Sequence, residues 1–504
     1  MNDKENVVNN TLGNDVKIVK TDEGAKDGQN KCPKCGATDI TVNTKSGKLR
    51  CNFCRHEFEL EKLEGMESDL SKLEGQVIAS GASNIVADTK DVVTLKCSSC
   101  GAEVVIDTKS SVNARCHWCR NTLSINEQIP NGSIPDVVLP FNVTKDDAKL
   151  EIEKFVGKRK FFAHPKFRAE FTTNNIMGVY FPYMLVDVNG HANFIGEGEH
   201  QTNMYYVGSE NNRSARYDAD LYHVERDFDI IIDDLSIESS SDRLNVNSKE
   251  KTNNIINAIM PFDTENCVKY NANYLSGYTS EKRDTNVDEL KSMVTEQAKD
   301  IARYAANDSL DKYDRGVCWH SEQLNIKGQS WTAAYLPVWL YSYQQVNGDK
   351  KLLHYVAVNG RTKKTMGSVP IHMPKLLLVS ALVEILGVLG MIYVDWDYSW
   401  LFLLIGLIYF LIMYGRYRNS GARHTYETQT KKEISNLKEV DRFIRSETGL
   451  TNSSMEGANN MKVNGQTSAS KLTSQNIGNS VINSAINGGS IANIIKDNIN
   501  KNGK

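Results

Sequence analysis

Two apolar runs dominate the hydrophobic pattern, Leu376–Val394 and Trp400–Tyr414, joined by the polar tip Asp395-Trp-Asp-Tyr-Ser399. A stretch of about 18 apolar residues spans a bilayer as a helix, and the first run meets that length. The second is shorter and gains length by recruiting Tyr398 or Tyr417. Trp396, Tyr398 and Trp400 at the tip, with Tyr414 and Tyr417 at the base, suit interfacial aromatic belts. The pattern predicts a transmembrane α-helical hairpin over 376–414; a buried helical pair of a soluble domain is the alternative. Lys375, Arg416, Arg418 and Arg423 flank the base, whereas the tip carries only Asp395 and Asp397. The positive-inside rule then expects a multi-pass protein of the cell membrane with its N- and C-terminal regions cytoplasmic. Met1–Asn30 is polar, has no apolar signal core, and is expected to be disordered. Glu384 lies within the first run, where an ionisable group is costly. A protonated acid bonded within a helix oligomer is the expectation there.

Elsewhere the periodicities are those of a globular protein. Residues 136–372 read as an α+β domain with an internal repeat. Gly178-Val-Tyr-Phe-Pro182-Tyr-Met-Leu185 matches Ala333-Ala-Tyr-Leu-Pro337-Val-Trp-Leu340. Helix-like segments, Lys145–Val156 and Val287–Ala306, precede the two copies, and strand-like stretches such as Ala192–Ile195 and Leu352–Ala357 follow them. Two related helix-plus-sheet halves are the simplest reading. Val358-Asn-Gly-Arg361 supplies a hairpin turn. Pro182 and Pro337 lack an N–H, so their strands should be edges or begin at the proline. After the hairpin, Ile434, Leu437, Val440 and Ile444 recur at helical spacing and predict a juxtamembrane amphipathic helix over 429–446, suited to self-association. The tail 451–504, rich in Asn, Ser and Gly, is expected to be disordered, with an apolar cluster at Ile482–Ile499 that folds on binding.

Composition changes this picture at one point. A net charge of −3 in 504 residues favours neither nucleic acid nor an anionic membrane in bulk. Eight of the ten cysteines, however, fall before residue 120. Cys32-Pro-Lys-Cys35, a fifteen-residue spacer and Cys51-Asn-Phe-Cys54 are repeated, 65 positions on, as Cys97-Ser-Ser-Cys100 and Cys116-His-Trp-Cys119. Each spacer reads as strand, turn, strand, which brings its two cysteine pairs together. Clustered Cys-x-x-Cys pairs in a cytoplasmic chain are metal ligands. Gly36 and Gly101 can turn backbone N–H groups toward the thiolates. Four thiolates suit a closed tetrahedral site with no open position for a substrate water. Two zinc ribbons follow, 31–58 and 91–125, each holding one structural Zn2+, with four-thiolate iron as the competing metal. His56 and His117 stand beside complete quartets and read as bystanders. Arg55 and Arg120 occupy positions where glycine is more usual. The linker 59–90 carries scattered leucines, and Val77–Val86 is expected to pack on the second ribbon.

Catalytic constellations are not evident, and the chain is read as a non-enzyme. It has no phosphate-binding glycine loop, nucleophile elbow or His-Glu-x-x-His helix. Cys318 and His320 could pair as nucleophile and base, but a half-buried thiol beside a polar rim is the simpler account. Cys267 reads as a small hydrophobe. Asp229-Ile-Ile-Ile-Asp233-Asp234 reads as a buried strand with acidic ends in preference to a metal site.

The paired ribbons, Leu139-Pro-Phe141-Asn-Val-Thr144, Pro261-Phe262, Tyr274-Leu-Ser-Gly-Tyr278, Tyr335-Leu-Pro-Val-Trp-Leu340 and Val358-Asn-Gly-Arg361 occur together before the apolar segment. This combination, over about residues 30–415, resembles the bacterial membrane proteins with tandem transcription-factor-IIB-type zinc ribbons. Members are sometimes labelled DNA replication or primosomal helicase-like proteins, although no helicase motor motif is present here. The resemblance implies association with phage-shock and flotillin-like membrane-stress proteins. The chain departs from the family at Cys116-His-Trp-Cys119-Arg120, where Pro and a trailing Gly are usual. The expectation is a membrane-anchored adaptor or scaffold recruiting cytosolic or membrane-associated proteins. A DNA tether is the alternative, because Lys34, Lys45, Lys48, Arg50, Phe53 and Arg55 give the first ribbon a basic patch.

Overall fold

The protein is described from a computed structural model. It covers residues 16–19, 32–58 in part, 69–83, 92–129 in part, 135–208, 214–240, 258–347 with short gaps, 350–393, 404–418, 425–450, 462–463 and 466–467. The hairpin tip 395–399, the acidic and aromatic residues on it, Arg423 and the apolar cluster 482–499 lie outside these residues.

The N-terminal third supplies short strands: β1 (Val16–Val19), β2 (Ile40–Val42), β3 (Leu49–Cys51), β4 (Glu57–Phe58) and β5 (Gly75–Ala79). It continues with β6 (Val92–Lys96), β7 (Glu103–Asp107) and β8 (Gln128–Ile129). Next come β9 (Val137–Val138), α1 (Lys145–Gly157), α2 (Pro165–Glu170), β10 (Met177–Val207) and β11 (Ser214–Glu238). The second half holds β12 (Val268–Lys269), β13 (Thr279–Glu281), α3 (Val287–Ala305), β14 (Gly316–Asn347), β15 (Lys350–Asn359) and β16 (Thr365–Gly367). Then follow α4 (Met373–Tyr393), α5 (Ile405–Arg418), α6 (Tyr426–Gln429), β17 (Lys431–Leu450) and, within the tail read as disordered, a short antiparallel hairpin of β18 (Lys462–Val463) and β19 (Gln466–Thr467). The class is mixed α/β and multidomain.

The helices that precede each copy of the repeat begin where local chemistry starts them. Asp147 N–H donates to the Thr144 hydroxyl (3.2 Å) at the head of α1, and the Asn286 N–H donates to Glu289 (3.3 Å) at the head of α3. Leu290, Val294, Ala298 and Ile301 form the buried stripe of α3 against Phe194, Phe228 and Trp331 of the sheet. Ala148, Ile152 and Phe155 of α1 join the core beside Tyr180, Val356 and Val358.

The two repeat copies are the two central strands. β10 and β14 run antiparallel, with Phe181 opposite Leu336, Tyr180 opposite Pro337 and Pro182 opposite Tyr335. Equivalent positions therefore exchange partners, which places a local two-fold axis at the Phe181–Leu336 pair. The flanks obey the same axis. Val179 and Tyr180 pair in parallel with β13, as Ala334 and Tyr335 do with β9. From Tyr183 onward β10 pairs antiparallel with β11, as β14 does with β15 from Val338.

This arrangement corrects the expectation for the prolines, because both sit inside central strands. A strand residue points its N–H and C=O to the same side. The carbonyls of Pro182 and Pro337 face outward and accept from Ser239 N–H (3.1 Å) and Gly360 N–H (2.9 Å). The missing N–H falls in the junction where one flanking strand has ended and the next begins, so no ladder bond is lost.

Three further expectations are corrected. The amphipathic helix over 429–446 is strand β17, paired antiparallel with β11. Three register shifts within that ladder, one at Asn436 with φ 55°, break simple alternation and leave apolar residues at the three- and four-residue spacing of a helix. The stretch beginning at Val77 does not pack on the second ribbon: β5 lies parallel between β1 and β14. The same contact orders Val16–Val19 within the N-terminal segment read as disordered, whose other residues are not among those described.

Helices α4 and α5 form an antiparallel pair. Gly406 N–H donates to Glu384 Oε2 at 2.7 Å, and a Cβ at 406 would lie 2.6 Å from the Ser380 carbonyl oxygen. Glu384 thus has a partner in the second helix, contrary to expectation, at the N-terminal end of α5 where an acceptor is favoured. Among the described residues α4 is the one helix long and apolar enough to cross a membrane, and Ile405–Tyr417 is shorter.

Arg226 holds β17 against the body. Its side chain is fully buried and donates to Asp441 (2.9 Å), the Ser309 hydroxyl (2.8 Å) and the Ser309 carbonyl (3.0 Å). Removing one partner of a buried ion pair leaves an uncompensated charge, so R226A should cost about 3 kcal/mol. Chemical denaturation should detect that loss, and limited proteolysis should cut first within 431–450. Unchanged stability and unchanged cutting would refute the anchor.

Candidate metal centres

Ribbon 1 is a three-stranded sheet in which Ile40 faces Cys51 and Leu49 faces Phe58. The strands deliver the second cysteine pair onto the first. Cys32 and Cys54 sulfurs are 3.5 Å apart, those of Cys35 and Cys51 3.6 Å, and all four lie within 4.8 Å of one another. Sulfurs each about 2.3 Å from one tetrahedral ion would sit about 3.8 Å apart, so the quartet fits a metal. Thiols this close cannot all ionise alone. Burial opposes the Cys32 thiolate, but backbone N–H groups of Cys35 and Lys34 and neighbouring thiols outweigh it and lower the group to about 7. Cys35 gains from the Ala37 N–H, yet burial and three sulfurs raise it to about 12.

Ribbon 2 repeats this geometry. Cys97 and Cys119 sulfurs are 3.4 Å apart, and Cys97, Cys116 and Cys119 form a cluster that could hold an ion. Cys100, the expected fourth ligand, lies outside the described residues, as do Gly36 and Gly101. At the second knuckle of each ribbon the left-handed turn falls on an arginine: Arg55 has φ 58° and Arg120 φ 63°. Their N–H groups close the knuckles on the carbonyls of Cys51 (2.9 Å) and Cys116 (2.8 Å). Arginine tolerates this conformation less easily than glycine, at a cost of about 1–2 kcal/mol.

The knuckles differ in what their tips do. Trp118 of ribbon 2 is 5% exposed; it packs edge-on to Phe181 and Tyr355, and its indole N–H donates to Glu281 at 2.6 Å. Arg120 lies over the Tyr341 ring, 4.6 Å from the centroid. His117 is buried with Nδ1 3.2 Å from the Thr279 hydroxyl, a bystander to the sulfurs as expected. β7 extends the contact by pairing with β13. Phe53, the residue of ribbon 1 equivalent to Trp118, is 82% exposed. His56 stacks on Phe58 and is not grouped with the sulfurs. Sequence reasoning missed the docking, although its signal was present: the departure at His117-Trp118 and Arg120 supplies the docking side chains.

The acidic strand end forms a third cluster. A bulge between Val186 and Val188 brings Asp187 to Asp233 and Asp234, with Asp234 N–H donating to Asp187 at 3.0 Å. Burial and then the neighbouring Asp234 raise Asp187 to about 7, and burial raises Asp234 to about 6. The remaining thiols show no activation. Burial raises Cys318, followed by Glu197 and Glu199, and the register shift between Ile195 and Gly196 falls opposite His320. Burial pushes Cys267 well above the usual thiol range.

No family model matches the chain, and no solved structure matches it. The Bacillus subtilis (strain 168) protein named Uncharacterized protein YdjG is similar. It is 25% identical over 351 residues, which cover 68% of this chain and 91% of that protein.

Two predictions follow from the geometry. W118A should destabilise the fold by about 3–5 kcal/mol, whereas F53A should change it by less than about 0.5 kcal/mol. Thermal or denaturant melts of both variants read this directly, and equal effects would contradict the docking asymmetry. Asp187 binds its proton more tightly folded than unfolded, so it lowers stability as pH rises from about 4 through about 7. D187N should therefore raise Tm at pH 7.5, and that gain over wild type should shrink at pH 5. A gain that grows on acidification would reverse the assignment.

Proposed function

We propose that the chain is a membrane-anchored zinc-ribbon adaptor that recruits cytosolic proteins to the inner face of the cell membrane. The observation that carries this reading is the unequal use of the two knuckles. Ribbon 2 turns its aromatic tip and its arginine inside the molecule, while ribbon 1 keeps Phe53 exposed, with Lys34 and Arg55 also exposed at its two knuckles. An exposed aromatic with flanking guanidinium is the residue pair that anchors protein interfaces. Partners of the phage-shock or flotillin-like type are expected from the family resemblance.

The anchor is the α4–α5 hairpin. Only 17% of the apolar window in α4 is buried, against what a core helix requires, and Leu378, Ile385, Leu386 and Ile412 are each more than half exposed. The hairpin returns the chain to the side it left, where β17 rejoins the body. In each centre the metal is assigned as Zn2+ bound by four thiolates: Cys32, Cys35, Cys51 and Cys54, and Cys97, Cys100, Cys116 and Cys119. Such closed sites order the fold and leave no coordination position for a reaction.

A DNA tether is the second reading, favoured by the cations Lys34, Lys48, Arg50 and Arg55 that the first ribbon carries together with Phe53. Affinity purification of the detergent-solubilised full chain, carried out with and without nuclease, separates the two. Protein partners lost from F53A, or from a version ending at Leu450, support the adaptor. Co-purifying nucleic acid that disappears in C32S/C35S would replace it with the tether. Metal analysis should return two zinc ions per chain, falling to one in C32S/C35S; iron at either centre would overturn the zinc assignment.

A further inference from the structure

We propose that the α1–α2 loop and the base of the α4–α5 hairpin form one collar that binds the headgroups of anionic phospholipids. This rests on the hairpin as a membrane anchor and goes further by naming the lipid class.

From Lys154 to Arg168 the sequence holds six Lys or Arg residues and no Asp or Glu. The structure ties the middle of that segment to the hairpin. Lys375 at the start of α4 donates to the Phe161 carbonyl at 2.8 Å, and Arg159 Nε donates to the Arg416 carbonyl at 2.9 Å near the end of α5. Phe162 N–H donates to the Tyr417 hydroxyl (3.0 Å), and His372 N–H to the Phe162 carbonyl (2.8 Å). Lys158, Arg159 and Lys160 are thereby held at the level of Lys375 and Arg416, where the apolar surface of the helices begins. Phe161 is 59% exposed at the same level, with the Lys375 ammonium 3.8 Å from its ring centroid. An aromatic side chain beside cations suits the layer between headgroups and acyl chains.

Charge decides the partner. Among the described residues no carboxylate forms an ion pair with Lys158, Arg159, Lys160, Lys375 or Arg416. Arg159 lies over the Phe155 ring (3.6 Å) and donates to the carbonyls of Phe155 (3.0 Å) and Arg416 (2.9 Å), so its charge is not offset by a carboxylate. Nucleic acid would supply phosphates, but a duplex on this collar would also lie against Leu377, Leu378 and Ile412, each at least half exposed. A bilayer supplies phosphates and apolar tails together.

The full chain and K158Q/K160Q are to be reconstituted in vesicles of phosphatidylcholine mixed with phosphatidylglycerol. Lipids retained after mild delipidation are then counted by native mass spectrometry. Wild type should retain phosphatidylglycerol in preference to phosphatidylcholine. Each cation near an anionic leaflet is worth roughly fivefold, so the double variant should lose roughly 25-fold of that preference. High salt should weaken it as well, because both lysines are exposed. A protein that resists carbonate extraction yet shows no preference overturns the collar and leaves the anchor standing. A preference that survives in K158Q/K160Q likewise overturns the collar. Full extraction by carbonate overturns both. Binding of a labelled DNA duplex to the solubilised chain through the same two lysines would replace lipid as the occupant.

Discussion

Phe181 and Leu336 face each other at the centre of the β10–β14 ladder, both fully buried, and everything else is arranged about that pair. An antiparallel pairing of two similar segments brings equivalent positions into exchange only when the register centres on one such pair. A slip of one residue would turn the apolar set to the wrong face. It would also move both prolines off the junctions where their missing N–H groups do no harm. Register, proline position and the change of flanking strand are one constraint seen three ways.

The motifs that carry the family resemblance converge on this axis. Phe141 stacks on Tyr278 (4.7 Å) and lies against Trp339 and Tyr180 at 4.9 and 5.1 Å. Asn359 accepts from Arg361 and Thr362 N–H groups, shaping the turn after β15, and donates to the carbonyls of Ile259 and Pro261. Arg361 reaches Asp263 and the Pro140 carbonyl. These side chains have one another as partners, so the motifs mark a way of closing the sheet.

How far the sequence is legible follows from the range of the interactions involved. The first cysteine quartet, the three described cysteines of the second, the capped helices α1 and α3 and the internal repeat are local or duplicated patterns, and each is found where the spacing places it. β17 failed because its period is produced by bulges opposite β11, some 210 residues earlier. Docking of Trp118 on Glu281 and the burial of Arg226 against Asp441 join positions 163 and 215 apart. No window along the chain contains both partners. Glu384 was misread for a related reason: its partner is a backbone N–H, which every residue carries and no pattern distinguishes.

Duplication explains why the ribbons can part company in role. Two copies of a cysteine knuckle begin with the same tip geometry, because a left-handed arginine closes each turn on the carbonyl of its first cysteine. Once Trp118 finds Phe181, Tyr355 and Glu281, the second tip becomes part of the sheet's own core. Its surface is then constrained by folding. The first tip is under no such constraint and retains an aromatic at 82% exposure. Only one of the two tips is left to meet something outside the molecule, and that division of labour is the physical basis for reading the first ribbon as the recruiting surface and the second as its mount.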